Sequence, residues 1–320
     1  MLHQTKKLYD FCKNHKPYAG LIEIDEMKRR AFAAELKSKP RDIPNWRKPG
    51  VYPEDDMIFV NHSFWHSVVN FCYLDPENPM EKFRIGNLTG AEAMCHCFIR
   101  KFGERLIAPD DIFGITDTKK ALEEFFRGDA PMPLLEERRN GLYEAALTIE
   151  EGFRGSPYAI LMFAKFRVAK IIKILLENFR NSFGKDYVYY KNDEQVYFSK
   201  RANLWPLVYQ GRALNSTKLP KLADPENIGP VVDYQVPNGL RHLGVHRYTH
   251  WFAEKIDSKF PLEKHSLEEM AVRFATAETL LDLQQETGLT QVDLDFPLWW
   301  EGRTAFKNGM NHMLVRTTDY

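Results

Sequence analysis

The sequence predicts a mostly α-helical fold with a small β-hairpin, and three observations carry that expectation. Helix-start signals precede apolar stripes of one-face spacing at three places in the chain. Strand character is concentrated in one short stretch. No Gly/Ser linker, repeat or low-complexity tract divides the 320 residues, so a single domain over 1–320 is expected, arranged as two helical lobes around a central pocket.

The elements follow in order. Thr89-Gly90-Ala91-Glu92 reads as a capping box, with Met94, Phe98 and Phe102 on one face and Gly103 as the stop. Ser156-Pro157 offers an N-cap with proline at the first helical position. Phe163, Phe166, Ile172, Leu175, Leu176 and Phe179 continue it as one helix up to Gly184. Tyr187-Val188-Tyr189-Tyr190 and Gln195-Val196-Tyr197-Phe198 flank the polar turn Lys191-Asn192-Asp193-Glu194, which is hairpin spacing. His242, His246 and His250 recur at i, i+4, i+8 and would share a helix face. Ser266-Leu267-Glu268-Glu269 is a second capping box, followed by Met270, Phe274, Ala277 and Leu281 and closed by Gly288.

Charge narrows the function classes. Lys plus Arg and Asp plus Glu number 44 each, for a formal net charge of zero. Tight duplex binding calls for a basic field. Lys28-Arg29-Arg30 and the set Lys165, Arg167, Lys170 and Lys173 are local clusters, and acidic Glu23, Asp25 and Glu26 lie beside the first. A small ligand is therefore expected rather than DNA or whole tRNA. The first residues lack the apolar core of a signal peptide and no run is long enough to span a bilayer. Cys12, Cys72, Cys95 and Cys97 show no disulfide-framework spacing, which fits a reducing cytoplasm. Cys95-His96-Cys97 invites a metal reading, but a helix sets its two cysteines roughly 200° apart and no second ligand pair appears, so no metal is expected.

Val231-Val232-Asp233-Tyr234-Gln235-Val236-Pro237 sets a carboxylate inside an apolar and aromatic run before a helix. Such a group either has a structural partner, a helix cap being the plain choice, or is kept poised for chemistry. Four further strings accompany it: Asn70-Phe71-Cys72-Tyr73, Met132-Pro133-Leu134-Leu135-Glu136-Glu137-Arg138, Phe198-Ser199-Lys200-Arg201-Ala202 and Asp295-Phe296-Pro297-Leu298-Trp299. Together, over roughly residues 55–300, they resemble the queuosine salvage family.

The resemblance implies hydrolysis of the N-glycosidic bond of queuosine 5′-monophosphate, with release of the 7-deazaguanine base queuine for reuse in tRNA. It also implies a helical fold similar to helix-hairpin-helix DNA glycosylases, no cofactor, and no stable nucleic-acid complex or membrane partner. Asp233 is the catalytic residue in this reading, stabilising positive charge on the ribose and activating water. Lys200 is expected beside the 5′-phosphate on an enclosed loop edge, with Arg201 tying structure; a solvated basic pair is the alternative. Asp295 would accept from the ring N–H and amino donors of the base, and Phe296, Trp299 or Trp300 would stack on it, unless the tryptophans plug the core. Asn70 would orient polar groups, and Cys72, Val231 and Val232 complete the expected substrate wall, Cys72 as a small hydrophobe rather than a nucleophile. Glu136-Glu137-Arg138 suits an ion pair near a helix start.

Two positions depart from the family pattern. Val208 stands where members often carry Asp, and Leu74 replaces an aromatic residue. The first departure keeps a noncatalytic queuine- or deazapurine-binding protein in view. A helix-hairpin-helix nucleic-acid glycosylase is the other alternative, against which the neutral charge argues.

Overall fold

The computed structural model describes residues 1–79, 81–190 and 194–320. Within them the chain runs α1 (His3–His15), β1 (Ile22–Ile24), α2 (Glu26–Ser38), α3 (Asp56–Val68), β2 (Arg84–Ile85), β3 (Leu88–Thr89), α4 (Ala91–Phe102), α5 (Pro109–Thr116), α6 (Lys119–Phe125) and α7 (Leu135–Gly152). It continues through α8 (Tyr158–Phe163), α9 (Val168–Asn178), β4 (Tyr187–Tyr190), β5 (Glu194–Tyr197), α10 (Lys200–Leu214), α11 (Gln235–His242), β6 (His246–Tyr248), α12 (His250–Asp257), β7 (Pro261–Leu262), α13 (Leu267–Thr287), α14 (Gln291–Lys307) and β8 (Leu314–Val315). The fold is mostly helical. No helix among the described residues is long and apolar enough to cross a membrane.

Where local signals agree with tertiary partners, the expected element forms. The Ser266 hydroxyl accepts from the Glu269 N–H at the start of α13, and Gly288 closes that helix at φ +70° with its N–H on the Gln284 carbonyl. The hairpin forms as β4 against β5, Tyr187 opposite Tyr197, one residue earlier on its second strand than expected. Its turn residues 191–193 lie outside the described residues. Strand pairing goes beyond this hairpin: β1–β6 and β2–β3 are also antiparallel, and β7–β8 is parallel.

Three expectations fail, each for a visible reason. The helix expected from Ser156 to Gly184 breaks into α8 and α9, because Lys165 and Phe166 adopt left-handed φ of 53° and 55°. Distant chain stabilises the break: Ala223 N–H donates to the Phe166 carbonyl, and the Asp224 carboxylate accepts from the first N–H of α9 at 2.6 Å. The Thr89 capping box does not form, since Thr89 pairs with Arg84 in β3 and Gly90, at φ 59°, precedes α4. The three histidines share no helix. His242 ends α11, the Gly244 turn at φ +71° intervenes, His246 lies in β6 and His250 opens α12.

Among the described residues two large hydrophobic cores result, beside a small cluster of Phe71, Cys72 and Leu134. One gathers α3–α10, with Trp65, Phe64, Phe98 and Trp205 buried in it; the other gathers α1, α2, the hairpin and α11–α14. Arg29, from the basic cluster of α2, is buried against Asp282 and Glu286 of α13, so it serves packing rather than a nucleic-acid surface. Two fixed points position the region between the cores. A Cβ on Gly239 would lie 2.2 Å from the Leu298 carbonyl oxygen, and one on Gly302 would lie 2.0 Å from that of Gln235. Only glycine permits this approach, so α11 and α14 meet backbone to backbone. Arg212, fully buried on α10, gathers the Asn45, Trp46, Pro53 and Glu54 carbonyls and the Asp56 carboxylate. It thereby straps residues 39–55, which carry neither helix nor strand, across α10.

Candidate active site

A cavity of about 730 Å³ opens between the two cores. Its walls are the strap, α3, the start of α10, the chain entering α11, and α14. Because α11 and α14 touch through glycine, Asp233 before the one and Asp295 near the start of the other face the same space.

The two carboxylates are held differently. Asp233 Oδ1 accepts from the backbone N–H of Gln235 at 2.7 Å and of Val236 at 2.9 Å. Helix cap and cavity-facing group are thus the same residue, not alternatives. Burial pushes its carboxyl above the ordinary range, opposed by Lys200, these two N–H groups and Lys82. Asp295 has no hydrogen-bond or ion-pair partner among the described residues. Burial, then the Asp233 charge, push its carboxyl up to about 8, with Lys200 opposing. Both causes favour its neutral form, in which the carboxyl is a donor as well as an acceptor.

Lys200 is not on a loop edge. It is the first residue of α10 and only 3% exposed. Its N–H donates to Asp186 Oδ2 at 2.7 Å, and its ammonium reaches the Asn70 carbonyl at 3.3 Å. Burial lowers its pKa, while Asp233, Asp295 and Asp186 hold it up. The Asn70 turn is fixed from behind by Arg138, whose guanidinium donates to the Pro133, Val69, Phe71 and Cys72 carbonyls. Arg201 donates to the Val68 carbonyl at 2.6 Å, and both guanidiniums lie on the Phe71 ring, 4.2 and 5.0 Å from its centre. Arg138 thus acts through carbonyls rather than the expected ion pair; Glu136 faces Arg139 instead.

Aromatic rings and further cations complete the cavity. Phe296 stacks with Trp299 at 6.1 Å and meets Trp46 of the strap edge-on at 6.5 Å. Arg303 lies over Trp299 and Lys307 over the half-exposed Trp300. Lys48 binds Glu92 at 2.6 Å, and Arg303 approaches the same carboxylate at 3.8 Å. Lys82 sits over Tyr234 and Phe306, and burial, then Arg303, push it down to about 8. His66 lines the α3 wall and is held neutral by burial.

A sequence profile described as queuosine salvage protein matches residues 51–319. The chain belongs to that family. Similar proteins named queuosine 5′-phosphate N-glycosylase/hydrolase include one from Sphaerobacter thermophilus, 24% identical over 307 residues and covering 94% of each chain. Others come from Dictyostelium discoideum, 26% identical and covering 70% of this chain and 71% of the relative, and from Bos taurus, 24% identical and covering 76% of each.

Of the site residues expected in a queuosine salvage protein, Asn70, Lys200, Val231, Asp233, Asp295, Phe296, Trp299 and Trp300 line the cavity, as does Val208. Cys72 and Val232 do not. The Cys72 thiol points to the Leu74 and Val315 carbonyls, and Val232 is packed in the second core. His246 is buried on Thr279, and neither it, His242 nor His250 reaches the cavity. Sequence reasoning missed Trp46, Lys48, Tyr52, Lys82 and Arg303, and passed over His66 as one of two scattered histidines with His62. A signal existed for one group: Trp299, Arg303 and Lys307 follow at i, i+4, i+8 and share a helix face. The strap residues had none, since no periodicity marks an irregular segment.

Proposed function

We propose that this cavity hydrolyses the N-glycosidic bond of queuosine 5′-monophosphate and releases queuine. The observation that carries the proposal is the pairing, within one cavity, of two unlike carboxylates at its buried part with an aromatic wall and a set of cations toward solvent. The names of the relatives supply the substrate. The volume suits a nucleotide.

In the mechanism, Asp233 is the charged member. It stabilises the positive charge that grows on the ribose as the base departs, and it takes the proton of the attacking water. The backbone N–H groups of Gln235 and Val236 fix one of its oxygens, which leaves the other for substrate and water. Lys200 already balances Asp233 and Asp295. A phosphate dianion there would sit among carboxylates, so the 5′-phosphate reading moves from Lys200 to Arg303, Lys48 and Lys307. The ring of Phe296 or Trp299 supplies the stacking face. Support for turnover over mere carriage is a carboxylate that burial disfavours yet two backbone N–H groups hold at the cavity wall with one oxygen left for substrate, an arrangement a binding protein does not need.

Finer points belong to the same proposal. The frame is read as similar to helix-hairpin-helix DNA glycosylases, supported by the short α11 between Asp233 and the Gly244 turn. One domain with the cavity between two lobes is supported by the two cores. A cytoplasmic setting is supported by four buried, unpaired cysteines. Val208 on the cavity wall makes that position apolar, and the exact deazapurine accepted depends on it.

Incubation with queuosine, its 5′-monophosphate and guanosine monophosphate, with released base detected by mass spectrometry, tests the reaction. Failure to release queuine from the monophosphate would remove the proposal. Two variants separate the cations. Arg303→Ala is expected to cost ~10- to 100-fold in kcat/KM for the monophosphate and much less for the nucleoside, the worth of one charge-assisted hydrogen bond. Lys200→Ala should depress both substrates alike, because its ammonium serves the carboxylates. The reverse pattern would return the phosphate to Lys200.

A further inference from the structure

Asp233 and Asp295 share a cavity, but the protein provides only one of them with donors. Two backbone N–H groups and two ammonium groups, Lys200 and Lys82, favour the anion at Asp233. Asp295 receives no hydrogen bond from the described residues. It has the repulsion of Asp233 to one side and only Lys200 to offset it. Pairs of carboxylates whose surroundings push them apart in this way divide into an acid and a base.

The leaving group needs an acid. A purine nucleoside can depart with a proton on N7, but a 7-deazapurine has carbon there. Its departing anion is pyrrole-like, less stable than that of an ordinary purine. The nearest basic atom left on the ring system is N3, beside the exocyclic amino group. A neutral carboxyl fits that edge: its O–H donates to N3 while its carbonyl oxygen accepts from the amino group.

We propose that Asp295 is the general acid of the reaction, donating its carboxyl proton to N3 of the base as the C1′–N9 bond breaks. This rests on the reading of the cavity as an N-glycosidase. The bonding pair of C1′–N9 leaves with the base, which takes the Asp295 proton and departs neutral. Water forms the new C1′–O bond and gives its proton to Asp233. Asp295 is then the anion and Asp233 the acid. A proton passing from Asp233 to Asp295 through solvent, once the base has gone, restores both.

The pH dependence has a definite sign. A general acid works only while protonated, so kcat/KM falls as pH rises through about 8, where Asp295 loses its proton. Asp233 must be ionised, so activity also falls at low pH. Besides Lys200 of α10, and His66 of α3, itself kept neutral by burial, the other charges facing the cavity lie on four elements. The strap carries Asp42, Arg47 and Lys48, and Arg47 and Lys48 are paired to Glu54, Asp56 and Glu92. Glu92 is on α4, Arg303 and Lys307 are on α14 itself, and Lys82 precedes β2. Lys82 is also pushed down to about 8, so a basic limb alone does not identify Asp295.

The deciding experiment compares wild type, Asp295→Asn and Asp295→Glu on queuosine 5′-monophosphate, with single-turnover base release and substrate affinity measured separately across pH. Expected for Asp295→Asn is a loss of about 100-fold or more in release rate. Its affinity should stay within a few-fold, and the residual rate should lack a basic limb near 8. Asp295→Glu should recover part of the rate. Unchanged release by Asp295→Asn, or a loss confined to affinity, would overturn the acid assignment while the hydrolysis reading stands. Loss of binding in both variants would overturn it in favour of a structural role. No base release by wild type would overturn the parent reading and the acid assignment with it.

Discussion

Asp233→Asn is expected to bind queuine and the nucleotide and to lose about two to three orders of magnitude in base release, the usual cost of removing a main electrostatic contact to a transition state. The amide oxygen still accepts from Gln235 and Val236 N–H, so the start of α11 should survive and the variant should melt as wild type does. What disappears is the charge opposite the ribose and the base for water. A second consequence follows from the shared cavity. The Asp233 charge is one of the causes that hold Asp295 near 8, so in Asp233→Asn the Asp295 carboxyl should titrate lower. Calorimetric queuine binding measured across pH 5–9 reports that shift. Turnover by Asp233→Asn close to wild type, with an intact melting transition, would remove Asp233 from the chemistry.

How far such a site can be read in advance depends on where the determinants lie. Helix α13 is legible because its cap, stripe and stop are all local, from Ser266 to Gly288. The break between α8 and α9 is not, since the groups that stabilise it, Ala223 and Asp224, lie some fifty residues away. Thr89 shows the same conflict: a sound local cap signal yields to a strand ladder with Arg84. The repeat of His242, His246 and His250 misleads because Gly244 breaks the helix that the spacing presumes.

The candidate site divides along the same line. Asp233, Lys200 and Asp295 are legible as carboxylates and an ammonium embedded in apolar and aromatic strings. The difference between the two carboxylates is not, because it depends on which of them receives the two backbone N–H groups. Trp46 and Lys48 reach the cavity through Arg212, whose five acceptors are spread over residues 45–56. Cys72 and Val232 lie beside true cavity residues in sequence, yet the turn at Asn70 and the alternation at Val231 send them the other way. Adjacency in a motif does not set direction.

The second large effect concerns stability and its tie to the site. Asp186 is buried, pairs with Arg273 of α13 at 2.8 and 3.0 Å, and accepts from the Lys200 N–H at 2.7 Å. It therefore fastens the second core to the first turn of α10, where Lys200 stands. Asp186→Ala leaves a fully buried guanidinium without its counter-charge and is expected to cost about 3–5 kcal/mol, measured as a lowered denaturant midpoint. Replacing both partners, Asp186→Leu with Arg273→Met, should restore part of that loss, because no guanidinium is left unmatched, while buried Glu269 and Asp319 lose the Arg273 charge that favours their anions. It should not restore activity. The double variant still lacks the acceptor for the Lys200 N–H, so α10 begins less firmly and the ammonium between Asp233 and Asp295 loses its fixed position. Recovered stability without recovered base release would separate the two duties of Asp186, whereas joint recovery would show that Lys200 is positioned by the Asn70 turn and the fold alone.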